Sequence, residues 1–159
     1  MKNNKLTLTL SLVMLFSIKA LAASESVVTA GYVHTNLEGK TLNGLNGKFG
    51  YTPDKSDLGV ISSLTISGNN DNDIDRGYGS ALVGVSYRVS DIVKPYVMVG
   101  VGRGAIKNDG DTDTSTGFAY GAGIQLTPIS GFTVDAGYEG SKVFGSQANS
   151  VVIGAGWRF

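Results

Sequence analysis

The chain has 159 residues, enough for one domain, and its 13 basic and 13 acidic side chains cancel. Zero net charge excludes nucleic acid as a partner, since that needs a basic stripe, and the lack of any cysteine excludes a disulfide framework. Charged residues make up 16% and glycines number 23, against about 25% charge and roughly half that glycine share in an average soluble domain.

Lys2 and Lys5 precede an uninterrupted weakly polar to apolar run, Leu6 to Ile18, that closes on Ala20-Leu21-Ala22. A basic start, a short apolar centre and small residues two apart have the layout of a secretory signal peptide. The run is too short for a spanning helix, which takes roughly 20 residues. Cleavage is expected after Ala22, leaving 23–159 as the mature domain. No later segment has the apolar length of a membrane helix. Lipid is crossed only by helices or closed barrels, so a membrane protein of this sequence is a barrel.

Period-two alternation follows through eight segments. In the first, Val28, Ala30 and Tyr32 face outward. Leu45, Phe49 and Tyr51 then alternate with Asn46, Lys48 and Gly50, and Leu58, Val60, Leu64 and Ile66 with Gly59, Ile61, Ser63 and Thr65. Ala81, Val83, Val85 and Tyr87 alternate with Leu82, Gly84, Ser86 and Arg88. Val97, Val99 and Val101 face out, with Met98, Gly100 and Gly102 inward. Phe118, Tyr120, Ala122, Ile124 and Leu126 alternate with Ala119, Gly121, Gly123 and Gln125, and Phe132, Val134, Ala136 and Tyr138 with Thr133, Asp135, Gly137 and Glu139. The last segment sets Val151, Ile153, Ala155, Trp157 and Phe159 against Val152, Gly154, Gly156 and Arg158.

Charge placement decides the reading. Lys48, Arg88, Asp135, Glu139 and Arg158 all avoid the apolar face, where Arg or Lys costs roughly 2–4 kcal/mol at the bilayer midplane. Arg103 alone points outward, high enough to snorkel to the headgroups. The connections Thr52–Asp57, Ser90-Asp91 and Thr127–Gly131 read as tight turns. Those around Thr35–Thr41, Gly68–Gly77, Lys107–Thr116 and Gly140–Ser150 read as longer polar external loops. Eight strands return both termini to the periplasm. The expected fold is therefore all-β, an eight-stranded antiparallel up-and-down transmembrane barrel.

An eight-stranded interior is just wide enough for side chains to fill, so a sealed polar plug is expected instead of a pore. Within it Arg88 and Arg158 end their strands near the periplasm and Asp135 begins its strand there, so these are predicted to form an ion network, with Glu139 and Lys48 higher up and Gln125 as a neutral partner. Lumen glycines (Gly84, Gly100, Gly102, Gly121, Gly123) are expected to permit strand curvature and make room for the charged side chains. Asp135 and Glu139 invite an acid–base reading, but cations nearby hold carboxylates ionised and favour an internal brace. A lipocalin-like soluble barrel would need the opposite sorting, apolar inside and charged outside.

The stretch Ala23-Ser24-Glu25-Ser26 leading to Gly31-Tyr32, then Leu58 to Ser63, Tyr87-Arg88 and Val99 to Gly102 resemble the Ail/Lom/OmpX family. So do Tyr120 to Gln125, Asp135 with Tyr138-Glu139, and the end Gly154 to Phe159. The resemblance covers the whole chain. It implies an eight-stranded barrel of the Gram-negative outer membrane, among lipid and lipopolysaccharide, with extracellular loops that attach to host cells or matrix proteins or resist complement. The carboxyl end resembles the signal read by the barrel-assembly machinery: Gly154, Trp157 and Phe159 fit it, while Val152 stands in its polar slot. Trp157 and Phe159 also serve as girdle aromatics.

The loops depart from the adhesive relatives. Asn69 to Arg76 and Asn108 to Thr114 are acidic and almost without aromatics, which argues against electrostatic capture of heparin-like polyanions. Arg76, Lys107, Lys142 and Phe144 are the remaining candidate contacts. Asp71, Asp73 and Asp75, like Asp109, Asp111 and Asp113, alternate, but neither set has the Gly and Glu of a calcium loop, so no metal site and no cofactor is assigned. His34, the single histidine, has no Ser or Cys motif beside it. The expectation is a monomeric, non-enzymatic surface factor. A structural envelope component is the alternative, and a lipid-modifying enzyme a minor one.

Overall fold

A computed structural model describes residues 24–71, 74–108 and 110–159, without side chains at 70, 71 and 74. The expected signal peptide, 1–22, lies outside the described residues. The elements are β1 (Glu25–Leu37), β2 (Lys40–Thr52), β3 (Leu58–Asp71), β4 (Ile74–Tyr87), β5 (Val93–Asn108), β6 (Asp111–Ile129), β7 (Phe132–Val143) and β8 (Ser146–Arg158). Each pairs antiparallel with its sequence neighbour, and β1 pairs with β8 to close the barrel. At the closure Ser26 and Phe159 exchange backbone hydrogen bonds of 2.8 and 2.9 Å, which sets the start of β1 and the end of β8 on one rim, here the terminal rim. Closure leaves no unpaired edge within the hydrocarbon, the condition for crossing it with strands.

The pleat sorts side chains as the alternation requires. Leu64 (66%), Ile153 (63%) and Phe118 (63%) are exposed, whereas Lys48 (3%), Glu139 (1%) and Asp135 (0%) are buried. In water such a continuous apolar wall would be an aggregation surface; in lipid it is the solvated one. Aromatics mark both ends of the band. Phe132 and Trp157 meet edge to face near the terminal rim at 6.4 Å, and Phe118, Tyr120 and Tyr138 form a ladder with 6.4 Å spacings nearer the distal rim.

The distal connections correct the sequence expectation. The four segments read as long polar loops are strand almost throughout. β1–β2, β3–β4, β5–β6 and β7–β8 are each joined by two residues. Glu38 and Gly39 (φ 53° and 74°) and Phe144 and Gly145 (φ 53° and 70°) adopt the paired positive-φ conformation that matches hairpin twist. Hydrophobic alternation stops where the lipid stops, but backbone pairing needs no lipid and carries on. At the terminal rim the turns span 53–57, 88–92 and 130–131. β6 reaches Ile129 through a register shift between Leu126 and Ile129, where Pro128 lacks the N–H a regular ladder would use.

Candidate functional site

Three layers fill the barrel. At the terminal rim Glu25, 17% exposed, receives Arg88 Nη2 at 3.2 Å and Arg158 Nη1 at 3.5 Å. Lys94 also pairs with it and donates to Thr52 Oγ1 at 3.1 Å. Arg158 Nη1 further donates to the Asp91 carbonyl at 2.7 Å. Arg88 and Arg158 therefore do not join Asp135, as the sequence had suggested. Strand direction put all three near one rim, but Asp135 lies three residues inside β7, while Glu25, carried in by β1–β8 closure, meets the arginines first.

In the middle layer Lys48 Nζ pairs with Asp135 Oδ1 at 2.7 Å and donates to Asn46 Oδ1 at 2.8 Å. The Tyr96 hydroxyl donates to the same Asp135 oxygen at 3.2 Å, and its ring centroid lies 5.7 Å from the ammonium. Among the described residues Glu139 has no cation partner. Its Oε1 accepts from Ser63 at 2.8 Å and Asn46 Nδ2 at 3.5 Å, and its Oε2 from Thr65 at 2.9 Å and Ser80 at 2.8 Å. Inward positions on β2, β3 and β4 thus converge on a carboxylate from β7, and hydrogen bonds replace the hydration it loses. Gln125 sits beside Asp135 in the β6–β7 register but its buried amide makes no hydrogen bond among the described residues, so it stands beside this cluster without joining it.

The distal layer is apolar, which corrects the all-polar plug. Leu37, Leu42, Tyr78, Val143 and Ala148 cluster there, with Phe144 folded over them. Ile61, Leu82, Tyr96, Met98 and Ala119 form a second apolar group against the polar layer. Apolar side chains fill the narrow interior without demanding partners. Among the lumen glycines, Gly84 and Gly100 answer to neighbouring backbone, since a Cβ there would lie 1.9 and 2.0 Å from the carbonyls of Val97 and Ala81. Gly121 and Gly123 leave room for Glu139 and Tyr96.

Of the candidate contacts, Lys107 and Lys142 are exposed, Arg76 is half-buried, and Phe144 is spent on the distal cluster. Arg103 is exposed on the outer wall, as are Asp75, Asp111 and Asp113 on the hairpins. His34 Nδ1 lies 3.2 Å from Asn43 Oδ1. Gly154 pairs with Gly31 and Asp135, Trp157 and Phe159 face outward, and Val152 is fully buried in the lumen.

One distal feature stands apart. β6 pairs with β7 in register only from Ala119 onward, while β5 accompanies β6 up to Asp111. Gly117 lies against the Lys142 carbonyl and Ser115 Oγ accepts from Phe144 N at 2.8 Å, but residues 111–116 have a strand partner on one side alone among the described residues. At roughly 3.4 Å per residue this edge runs for about 20 Å. Sequence reasoning missed the edge, Glu25 and Lys94. Glu25 and Lys94 had a signal, since both fall on the inward parity of their strands.

Residues 8–159 match the family model described as outer membrane protein beta-barrel domain. The chain is 33% identical to outer membrane protein X of Enterobacter cloacae over 163 residues, covering 94% of this chain and 95% of that protein. It is 31% identical to the virulence membrane protein PagC of Salmonella typhimurium over 186 residues, covering all of both. The crystal structure of Ail, the attachment invasion locus protein of Yersinia pestis, in complex with the heparin analogue sucrose octasulfate, superposes with a TM-score of 0.78 at 30% identity, covering 87% of this chain and all of that one.

Proposed function

Because the chain belongs to the outer-membrane β-barrel family, in its Ail/Lom/OmpX group, and resides in the bacterial outer membrane, we propose that it is a surface attachment or serum-resistance factor acting through the β5–β6 hairpin. The observation that carries this reading is the β6 edge at 111–116, which has a strand partner only on its β5 side among the described residues. Unpaired backbone N–H and C=O groups offer a ladder to an incoming strand. Relatives named for virulence and for attachment invasion support the same reading.

The ligand is a protein segment and not a polyanion. Ail is described in complex with a heparin analogue, but here Asp75, Asp111 and Asp113 stand among Arg76, Lys107 and Lys142, so no basic patch dominates the distal surface among the described residues. Binding, without catalysis, is the role of the barrel. The buried ion clusters brace it: Lys48 is committed to Asp135, and Glu139 is held by four donors. Cleavage after Ala22 makes Glu25 the third residue of the mature chain. Gly154, Trp157 and Phe159 present the assembly signal, and the barrel works as a monomer.

Expression in a non-adherent Gram-negative host tests the reading. Cell attachment or serum survival is expected to rise over the vector control. If both stay at control level with the barrel assembled, the protein is a structural envelope component.

A further inference from the structure

The wall made by β8, β1 and β2 carries a dent. Cross-strand rows on its outer face read Val151–His34–Asn43, Ile153–Tyr32–Leu45, Ala155–Ala30–Gly47 and Trp157–Val28–Phe49, from distal to terminal rim. The third row is built from the smallest side chains, with large ones above and below. The result is a groove of about 880 Å3 on the lipid-facing wall, floored by Ala30, Gly47 and Ala155 and flanked by Leu45, Leu64 and Ile153.

Gly47 gives the groove its meaning. A Cβ at Gly47 would meet nothing within 4 Å, and its φ is not positive. Nothing in the barrel's own packing therefore requires glycine there, unlike Gly44 or Gly156, where a Cβ would lie 1.9 and 1.8 Å from neighbouring carbonyl oxygens. Glycine inside a strand weakens it, and it often marks the close approach of a ligand or another backbone. Gly77 is equally open but lies on β4, outside the groove. One strand step above the groove, on its distal side, sits a polar trio. Asn43 Oδ1 accepts from the Tyr32 hydroxyl at 2.6 Å and faces His34 Nδ1 at 3.2 Å. With its carbonyl so engaged, Asn43 has its Nδ2 donors, and His34 its Nε2, without a partner among the described residues and open to an external group.

We propose that this face binds one lipopolysaccharide molecule of the outer leaflet, with an acyl chain lying in the Ala30–Gly47–Ala155 groove and a phosphorylated sugar on Asn43 and His34. The trio stands at the external end of the groove, which assigns the occupant to the outer leaflet. A second barrel presents a convex wall that cannot reach the floor of a dent; a single flexible chain can. Hydrocarbon gains no hydrophobic energy on moving from lipid to protein. Contact with the floor comes from dispersion, and selectivity from the polar bonds above. This site lies on β8–β1–β2, away from the β6 edge, and the inference stands apart from the attachment reading.

The test reconstitutes the full mature barrel in vesicles containing equal amounts of lipopolysaccharide and phosphatidylethanolamine, then counts retained lipid by native mass spectrometry after detergent extraction. One lipopolysaccharide per barrel is expected, in preference to phospholipid. Gly47→Leu fills the groove and is expected to cut retention about tenfold, whereas Ala122→Leu, placing the same side chain on the β6 wall, leaves it unchanged. Asn43→Ala is expected to remove the preference for lipopolysaccharide over phospholipid. Heat-modifiable gel mobility verifies that each variant is folded, and Gly47→Ala serves if Gly47→Leu does not assemble. Equal retention of both lipids by the native barrel, no retained lipid, unchanged retention in the folded Gly47 variant, or cross-linked pairs of barrels joined through this face would each overturn the proposal.

Discussion

The membrane band and the distal extension of β5 and β6 are made from the same strands in the same register, yet their side chains obey different rules. In the band, Val99 and Val101 face hydrocarbon while Met98 and Gly100 face the lumen. Further along the hairpin, Lys107, Asp111, Thr112 and Asp113 are all exposed, whichever face they occupy. Backbone pairing is continuous across the boundary, from Val93↔Leu126 to Asn108↔Asp111. Side-chain pattern therefore reports the surroundings of a strand, and ladder pairing reports only the strand beside it. The two regions differ in what a substitution can disturb.

The largest expected effect falls in the buried lumen. Lys48→Met leaves the Asp135 carboxylate, fully buried, without its 2.7 Å partner, and removing one member of such a pair commonly costs about 3–5 kcal/mol. Urea titration of the barrel in lipid vesicles measures it. Adding Asp135→Leu to Lys48→Met is expected to recover part of the loss, because the uncompensated charge is then gone. No loss on Lys48→Met would mean that the lumen is as tolerant as the extension, and the comparison would fail.

Next comes the outer wall. Val99→Arg places a cation on the lipid face, at a cost of roughly 2–4 kcal/mol. Thr116→Arg, on the exposed part of β6, is expected to change stability by less than about 0.5 kcal/mol. The same urea titration compares the pair, and the ratio of the two losses locates the lipid boundary between Val101 and Arg103.

The terminal rim is intermediate. Glu25 is 17% exposed at its side chain and gathers Arg88, Lys94 and Arg158. Glu25→Gln leaves three cations facing one another where water and salt can reach them, so a loss of about 1 kcal/mol is expected, shrinking as ionic strength rises. A loss as large as that of Lys48→Met, and indifferent to salt, would place this cluster with the sealed interior.

These contrasts also explain what was legible beforehand. The eight strands and the facing of Lys48, Asp135, Glu139 and Arg158 could be read because lipid penalises any error on one face, so the sequence is forced into period two. The partners of those charges could not be read the same way. Glu25 reaches Arg158 only through β1–β8 closure, which couples the two ends of the chain, and alternation carries no information about shear. The distal layer is visible in principle, since Leu37, Leu42 and Val143 share the inward parity, but inward parity alone does not distinguish an apolar layer from a polar lumen. The hairpin lengths are not legible because polar Thr and Asp in β6 satisfy no burial rule, although threonine suits a strand.

The smallest effect on stability, and the sharpest on function, belongs to the β6 edge. In an antiparallel pair, residues alternate between those that bond across and those whose N–H and C=O point away. Asn108 and Asp111 close the two-residue hairpin and so bond across to each other, which turns the backbone groups of Thr112, Thr114 and Thr116 away from β5. Thr114→Pro then removes a donor from the free side while sparing the β5 ladder, the setting in which a strand accepts proline. Barrel stability is expected to fall by less than about 1 kcal/mol, while attachment of expressing cells drops to the vector level. Thr114→Ala, which keeps the N–H, is expected to retain attachment. If Thr114→Pro attaches as well as the native protein, strand addition at this edge is not how the extension binds, and exposed side chains such as Lys107 and Lys142 take its place as the contact.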